Sequence, residues 1–209
     1  ERQWLCPPGK GLLLSMILQP SLELQDLPQL TLLGGIAVAE SIRQLTGCDA
    51  GIKWPNDILI NGKKVCGILA HNSLRGRHFT SVVLGIGINV NLKSSQLPED
   101  CRETTTSLMI ESGGKVSRFE LLKNLLLIWD ELYFRFLGEG HSFLRSKWLA
   151  NNVTLGREVT IKRDHGIIRG KAVDISPSGS LILSLPDGSR MEFLAEDVSL
   201  GKENYNARI

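Results

Sequence analysis

Lys53, Asn56 and Asp57 crowd around Pro55 in the string Lys53-Trp54-Pro55-Asn56-Asp57, and Lys64 follows at the far side of a short turn. Two lysines, an amide and a carboxylate suit a polyphosphate with its magnesium. The ammonium groups offset phosphate oxygens, and carboxylate and amide oxygens can share the cation. A single Lys–Asp pair would more often be a solvated surface pair. The grouping therefore carries the reading, not any one charge. The sequence joins these residues through Ile58-Leu59-Ile60, the dipeptide Asn61-Gly62 and the run Val65 to Leu69. Asn-Gly between two apolar runs predicts a two-residue hairpin turn. That turn sets Leu59 opposite Lys64 and Asp57 opposite Cys66, leaving Asp57 and Lys64 diagonal on one face.

Two further groups could meet a ligand. In Leu84-Gly85-Ile86-Gly87-Ile88-Asn89-Val90 one strand face carries Ile86, Ile88 and Val90, while the other carries only Gly85, Gly87 and Asn89. Bare backbone of this kind lets something approach closely, either a ligand or a tightly packed element. Trp4 stands near Arg2, just ahead of the turn-rich Pro7-Pro8-Gly9-Lys10-Gly11. An indole can stack on a purine and a guanidinium can neutralise phosphate, though an apolar lid and a solvated arginine account for the same residues.

Those residues need a scaffold, and the sequence supplies one. Leu12 to Leu18 and Val82 to Val90 read as strands. Asp26, with Pro28 behind it, predicts a capped helix whose stripe is Leu30, Leu33, Ala37 and Ile42 and which stops near Gly47. Ser117 with Glu120 predicts a second, long helix with the stripe Leu122, Leu125, Trp129, Leu132 and Phe136. Gly138-Glu139-Gly140 ends it, and a shorter helix runs to about Leu149. After Asn151-Asn152 short strands take over: Glu158 to Lys162, Ile167 to Val173, Ser180 to Leu185 and Arg190 to Leu194. That texture suggests a small antiparallel barrel attached to a mixed α/β unit.

Composition narrows the function. A net charge of +2 over 209 residues gives no field for nucleic acid or a membrane surface, so anions must be met by local cations. The four cysteines form no C-x-x-C pair and read as reduced thiols in a cytoplasmic protein. No apolar run is long enough to span a bilayer. The chain starts at Glu1 rather than at a methionine, and the natural protein is expected to begin upstream.

Four strings, Trp4-Leu5-Cys6-Pro7-Pro8-Gly9, Lys53-Trp54-Pro55-Asn56-Asp57, Lys64-Val65-Cys66-Gly67-Ile68-Leu69 and Gly85-Ile86-Gly87-Ile88-Asn89-Val90, together resemble the biotin–protein ligase family in order and spacing. The resemblance implies an α+β fold: a mixed or antiparallel sheet with helices packed on it, like a class II synthetase, followed by a small SH3-like β-barrel. It places a biotin- and ATP-binding catalytic domain at 1–152 and the barrel at 153–209. It implies formation of biotinyl-5′-adenylate from biotin and ATP with Mg2+, then transfer to a lysine of a biotin carboxyl carrier domain. By position, Lys64 matches the catalytic lysine and, with Gly67 and Leu69, the biotin side. Arg2, Trp4, Lys53, Asn56, Asp57, Gly85, Gly87 and Asn89 match the nucleotide side, and metal ligands are not assigned. A homodimer is compatible with the resemblance; a nucleic-acid partner is not expected for this chain.

The sequence departs from the family's pattern. Of its glycine- and arginine-rich loop only Glu1-Arg2-Gln3 is present, His71 stands where an acidic residue is common, Leu13 where an aromatic one is, and Gly201 where an arginine is often seen. Three other readings compete: a lipoate or octanoate ligase, which the Lys53–Asp57 string and the barrel disfavour; a biotin-responsive repressor, which needs an upstream helix-turn-helix; and a non-catalytic nucleotide-binding remnant.

Overall fold

The computed structural model describes residues 4–75, 78–163, 166–194 and 198–200. Arg2, Gly201 and the turn residues Asp164 and His165 lie outside them. Ten strands and four α-helices are found among the described residues. The chain runs β1 (Gly11–Leu18), α1 (Pro28–Thr46), β2 (Ala50–Lys53), β3 (Asp57–Ile60), β4 (Lys63–Arg75) and β5 (His78–Asn89). It continues α2 (Leu108–Ser112), α3 (Arg118–Glu139), α4 (His141–Asn151), then β6 (Glu158–Arg163), β7 (Gly166–Ile175), β8 (Leu181–Ser184), β9 (Arg190–Phe193) and β10 (Val198–Leu200).

The first sheet has the order β1-β5-β4-β3-β2 with every ladder antiparallel. The second, β10-β6-β7-β8-β9, is also antiparallel. The architecture is the expected α+β one, and only isolated bridges, such as Ile52 with Asn152, run parallel. β4 and β5 extend well past the apolar runs that announced them.

Helices cover one face of the first sheet. α1 buries Leu30, Leu33, Ala37 and Ile42, the predicted stripe, and ends where Gly47 at φ 71° donates its N–H to the Arg43 carbonyl. Its start differs from expectation. Asp26 does not cap it, because the chain enters through a 3₁₀ turn (Leu24–Asp26) and Leu27 is already right-handed helical, at φ −58° and ψ −32°. A side-chain cap needs an extended residue there. Asp26 instead accepts a bond from Gln29 Nε2 at 3.1 Å. Ser117 does cap α3, accepting from the Glu120 N–H.

The two sheets share one apolar core, in which Trp54 and Leu27 join Val159, Leu181 and Phe193. No helix among the described residues is long and apolar enough to cross a membrane.

Candidate functional site

Residues opposite each other in a ladder project to the same side of the sheet. The register puts Leu13 opposite Gly87, Gly87 opposite Gly67, Gly67 opposite Asp57, and Asp57 opposite Lys53. One row therefore crosses all five strands, on the face away from the helices. It carries an apolar residue, two glycines, a carboxylate and an ammonium in that order.

The pairing of Asp57 with Cys66 expected from the turn is not formed. Leu59 does pair with Lys64, but Ile58 then pairs with Cys66, so Val65 is an extra residue in β4. This bulge turns Val65 and Cys66 both into the core, each 0% exposed, and brings bare Gly67 opposite Asp57. Asp57 and Lys64 still share a face. Burial, reinforced by the Asp57 charge and only partly countered by Lys64, pushes the Cys66 thiol far up, so it stays protonated beneath the site.

Lys64 Nζ lies 2.5 Å from Asp57 Oδ1 and Lys53 Nζ 3.7 Å from Asp57 Oδ2, so one carboxylate answers two ammonium groups. Asp57 Oδ1 is buried and, despite that ion pair, receives no aligned hydrogen bond. The Lys64 ammonium also stands 5.7 Å from the centre of a Trp4 ring. The backbone around Lys64 is gripped twice. Besides its β3 pairing, its N–H donates to the Thr104 carbonyl at 2.8 Å and its carbonyl accepts from the Thr106 N–H at 2.9 Å.

Trp4 covers the glycine floor. A Cβ on Gly87 would come within 2.9 Å of its indole, and one on Gly67 within 3.0 Å of it and 3.2 Å of the Lys64 side chain. The object approaching the glycines is thus a side chain of this chain itself. Its indole nitrogen is buried without a hydrogen-bond partner among the described residues.

A cavity of about 600 Å³ opens beside Trp4. Lys53, Asp57, Lys64 and Asn89 line it with Trp4, and Leu5, Leu59 and Gly62 complete that side. The opposite wall is Leu92, Leu97, Pro98, Asp100, Cys101, Thr104 and Thr105, with Leu200 from the second sheet. The sequence reading missed this wall, which has no periodicity; a Pro98-Glu99-Asp100 turn was its one visible signal. Other predicted residues serve differently. Asn56 Nδ2 donates to the Ile68 carbonyl at 2.8 Å, and Asn89 Nδ2 to the Thr106 carbonyl at 3.0 Å, so both amides brace backbone. Leu69 and Gly85 pair with each other farther along the same face, with Leu69 exposed. Among the described residues no three His, Cys, Asp or Glu side chains gather to hold a metal ion.

Trp54, inside the charged string, faces away from the cavity. It is 1% exposed, follows into a cis Trp54–Pro55 bond, and donates its indole N–H to the Gly179 carbonyl in the turn between β7 and β8 at 3.0 Å. Its backbone N–H donates to Thr154 Oγ1 at 2.8 Å.

The model of the biotin/lipoate A/B protein ligase family matches residues 1–89, and that of the biotin protein ligase C-terminal domain matches residues 154–201. The bifunctional ligase/repressor BirA of Bacillus spizizenii is 36% identical over 96% of this chain, which spans 62% of that protein's length. The biotin–[acetyl-CoA-carboxylase] ligase of Paracoccus denitrificans is 30% identical, with 93% of this chain and 82% of that one covered. Among solved structures, the biotin protein ligase of Aquifex aeolicus in complex with biotin and ATP superposes with a TM-score of 0.82 at 32% identity, over 97% of this chain and 82% of that one.

Proposed function

The chain belongs to the biotin/lipoate A/B protein ligase family, and from that premise we propose that it joins biotin to ATP and passes the biotinyl group to a lysine of a biotin carboxyl carrier domain. The observation that carries the proposal is the row Lys53–Asp57–Gly67–Gly87 with Lys64 beside it. It sets a floor of bare backbone, on which the Trp4 indole rests, next to two cations for an anion.

In the first step a biotin carboxylate oxygen attacks the α-phosphorus of ATP. The bond to pyrophosphate breaks and a mixed anhydride forms. Two anions must meet, so cations fixed in place do most of the work. Lys64 takes the biotin carboxylate and the developing anhydride, with Gly67 and Leu69 beside the biotin. Lys53, Asp57 and Asn89 face the nucleotide and Trp4 lies by its base; the family resemblance adds Asn56, Gly85 and Gly87 to that side, and assigns to it Arg2, which lies outside the described residues. Magnesium enters with ATP as part of the substrate. In the second step the acceptor amine attacks the anhydride carbonyl, AMP leaves, and an amide is formed. Orientation and the leaving group supply the rate.

The proposal includes a division into a catalytic part at 1–152 and a barrel at 153–209, a cytoplasmic location where ATP and carrier domains meet, and a homodimeric assembly. Four free cysteines suit that compartment.

Pyrophosphate exchange into ATP tests the activity. Exchange is expected only when biotin is added. Exchange driven by lipoate or octanoate would move the chain to the other branch of the family, and nucleotide binding without exchange would leave a non-catalytic remnant.

A further inference from the structure

Lys64 sits where its own sheet stops supporting it. The ladder between β4 and β5 begins only at Cys66 opposite Ile88, and the Asn61-Gly62 turn closes the hairpin on the other side. Its backbone leans instead on residues 104–106, through the Thr104 carbonyl and the Thr106 N–H. Thr105 is bridged to Lys64 in parallel, which continues the ladder beyond the end of β5. A long side chain goes where its backbone sends it, so whatever fixes residues 104–106 also aims the Lys64 ammonium.

Glu111 of α2 is placed to fix them. Its Oε1 accepts from Thr106 Oγ1 at 2.5 Å, and its Oε2 accepts from Asn61 Nδ2, in the hairpin turn, at 2.7 Å. An exposed Asn–Glu bond by itself would count for little. Here the bonds close a ring. Asn61 leads through the turn to Lys64, Lys64 is bonded to Thr106, Thr106 to Glu111, and Glu111 back to Asn61. Two of those bonds end on a carboxylate, which makes them the stronger kind. Thr106 is 1% exposed, and its carbonyl also accepts from Asn89 Nδ2, so the ring reaches the nucleotide side as well. α2 has a firm base of its own: Ser107 Oγ donates to the Leu92 carbonyl at 2.7 Å and the Met109 N–H to the Val90 carbonyl at 2.8 Å. Glu111 itself is not among the residues that line the cavity.

We propose that Glu111 is a positioning residue for Lys64, clamping the hairpin that carries the lysine to the segment that holds its backbone. The proposal rests on the reading that Lys64 takes the biotin carboxylate. Biotin-dependent pyrophosphate exchange at saturating biotin and ATP, well below the melting midpoint, tests it. Glu111→Ala is expected to lower the saturated rate about ten-fold, because a misaimed cation serves the transition state poorly. Glu111→Gln can still accept from Asn61 and donate to the Thr106 hydroxyl, so it should keep the rate within about three-fold of the parent's. In a Lys64→Met background Glu111→Ala should make less than about a two-fold further difference, since it acts through a group already removed. Hydrogen exchange of the Lys64 and Thr106 amides, which needs no activity, should become about ten-fold faster in Glu111→Ala while that of buried α3 amides stays as it was. Unchanged amide exchange would overturn the clamp whatever the enzyme does. An equal loss with and without the Lys64 ammonium, or a Gln variant as poor as the Ala one, would overturn the positioning role. A parent chain with no biotin-dependent exchange would instead sink the reading of the site, a failure that the amide measurement keeps apart from that of the clamp.

Discussion

Lys64 and Lys53 share the single carboxylate of Asp57, so the spot where they meet holds a surplus positive charge before any ligand arrives. A carboxylate or phosphate entering there finds donors already placed, which is where a fixed cation is worth most. Lys64→Met is therefore expected to cut biotin-dependent pyrophosphate exchange by a factor of about 10²–10³. Its side chain is 36% exposed, so the melting curve should move by less than about 1 kcal/mol of stability. Exchange at the unaltered rate would take Lys64 out of the chemistry. This charge cluster was legible in the sequence because Pro55 and the Asn61-Gly62 turn hold its members close along the chain. The duties of Asn56 and Asn89 were not. Their amide partners, the Ile68 and Thr106 carbonyls, lie 12 and 17 residues away and come near only once the sheet is paired.

The element that decides the site is β4 with its bulge. A regular hairpin would have put Cys66 opposite Asp57; the extra Val65 brings Gly67 there and leaves a floor without side chains. Val65 and Cys66 are both apolar, so no break in polarity marks the bulge in the sequence, whereas the turn itself has a chemical signature. The glycine face of β5 was legible as a place of close approach, but not what approaches it. That object is Trp4, against which a Cβ on Gly87 would sit at 2.9 Å. Gly87→Ala is thus expected to push the indole off the floor while the fold survives, because a side chain yields more easily than backbone. Iodide quenching of tryptophan fluorescence reads this directly. Trp54, Trp129 and Trp148 are buried, leaving Trp4 as the accessible indole. Quenching should rise in the variant, and biotin and ATP should each bind more weakly. Unchanged quenching would mean that Trp4 does not rest on Gly87.

At the scale of the whole molecule, side-chain hydrogen bonds among the described residues tie the second sheet to the first sheet and its helices. Arg145 of α4 grips Asp174 of β7 through two bonds, at 3.0 and 2.8 Å. The Arg145 hydrogen bonds, ahead of opposing burial and the Ile175 N–H, hold the Asp174 carboxyl below its ordinary value of 3.8. A carboxyl depressed by folding adds stability above its unfolded value and loses it as pH falls through the folded one. Asp174→Asn should then cost no more than about 1 kcal/mol near neutrality, as the pair is partly exposed. Its melting curve should converge with the parent's well below pH 4. A gap persisting there would deny the ion pair its part.

Another such link reaches the site itself. Trp54 donates to the Gly179 carbonyl and stands between Lys53 and Pro55-Asn56-Asp57, so the turn between β7 and β8 fixes the strand end that carries both charges. Trp54→Phe keeps an aromatic ring in the core but leaves that carbonyl without its donor, at a cost of about 1–3 kcal/mol. If the link only adds stability, the midpoint falls and kinetics at low temperature stay intact. If it positions Lys53 and Asp57, the KM for ATP should rise several-fold while the rate at saturation changes little, because nucleotide binding loses its aligned partners before the chemistry does. We expect the second result. A lowered midpoint with an unmoved KM would reduce the second sheet's contact at Trp54 to a support.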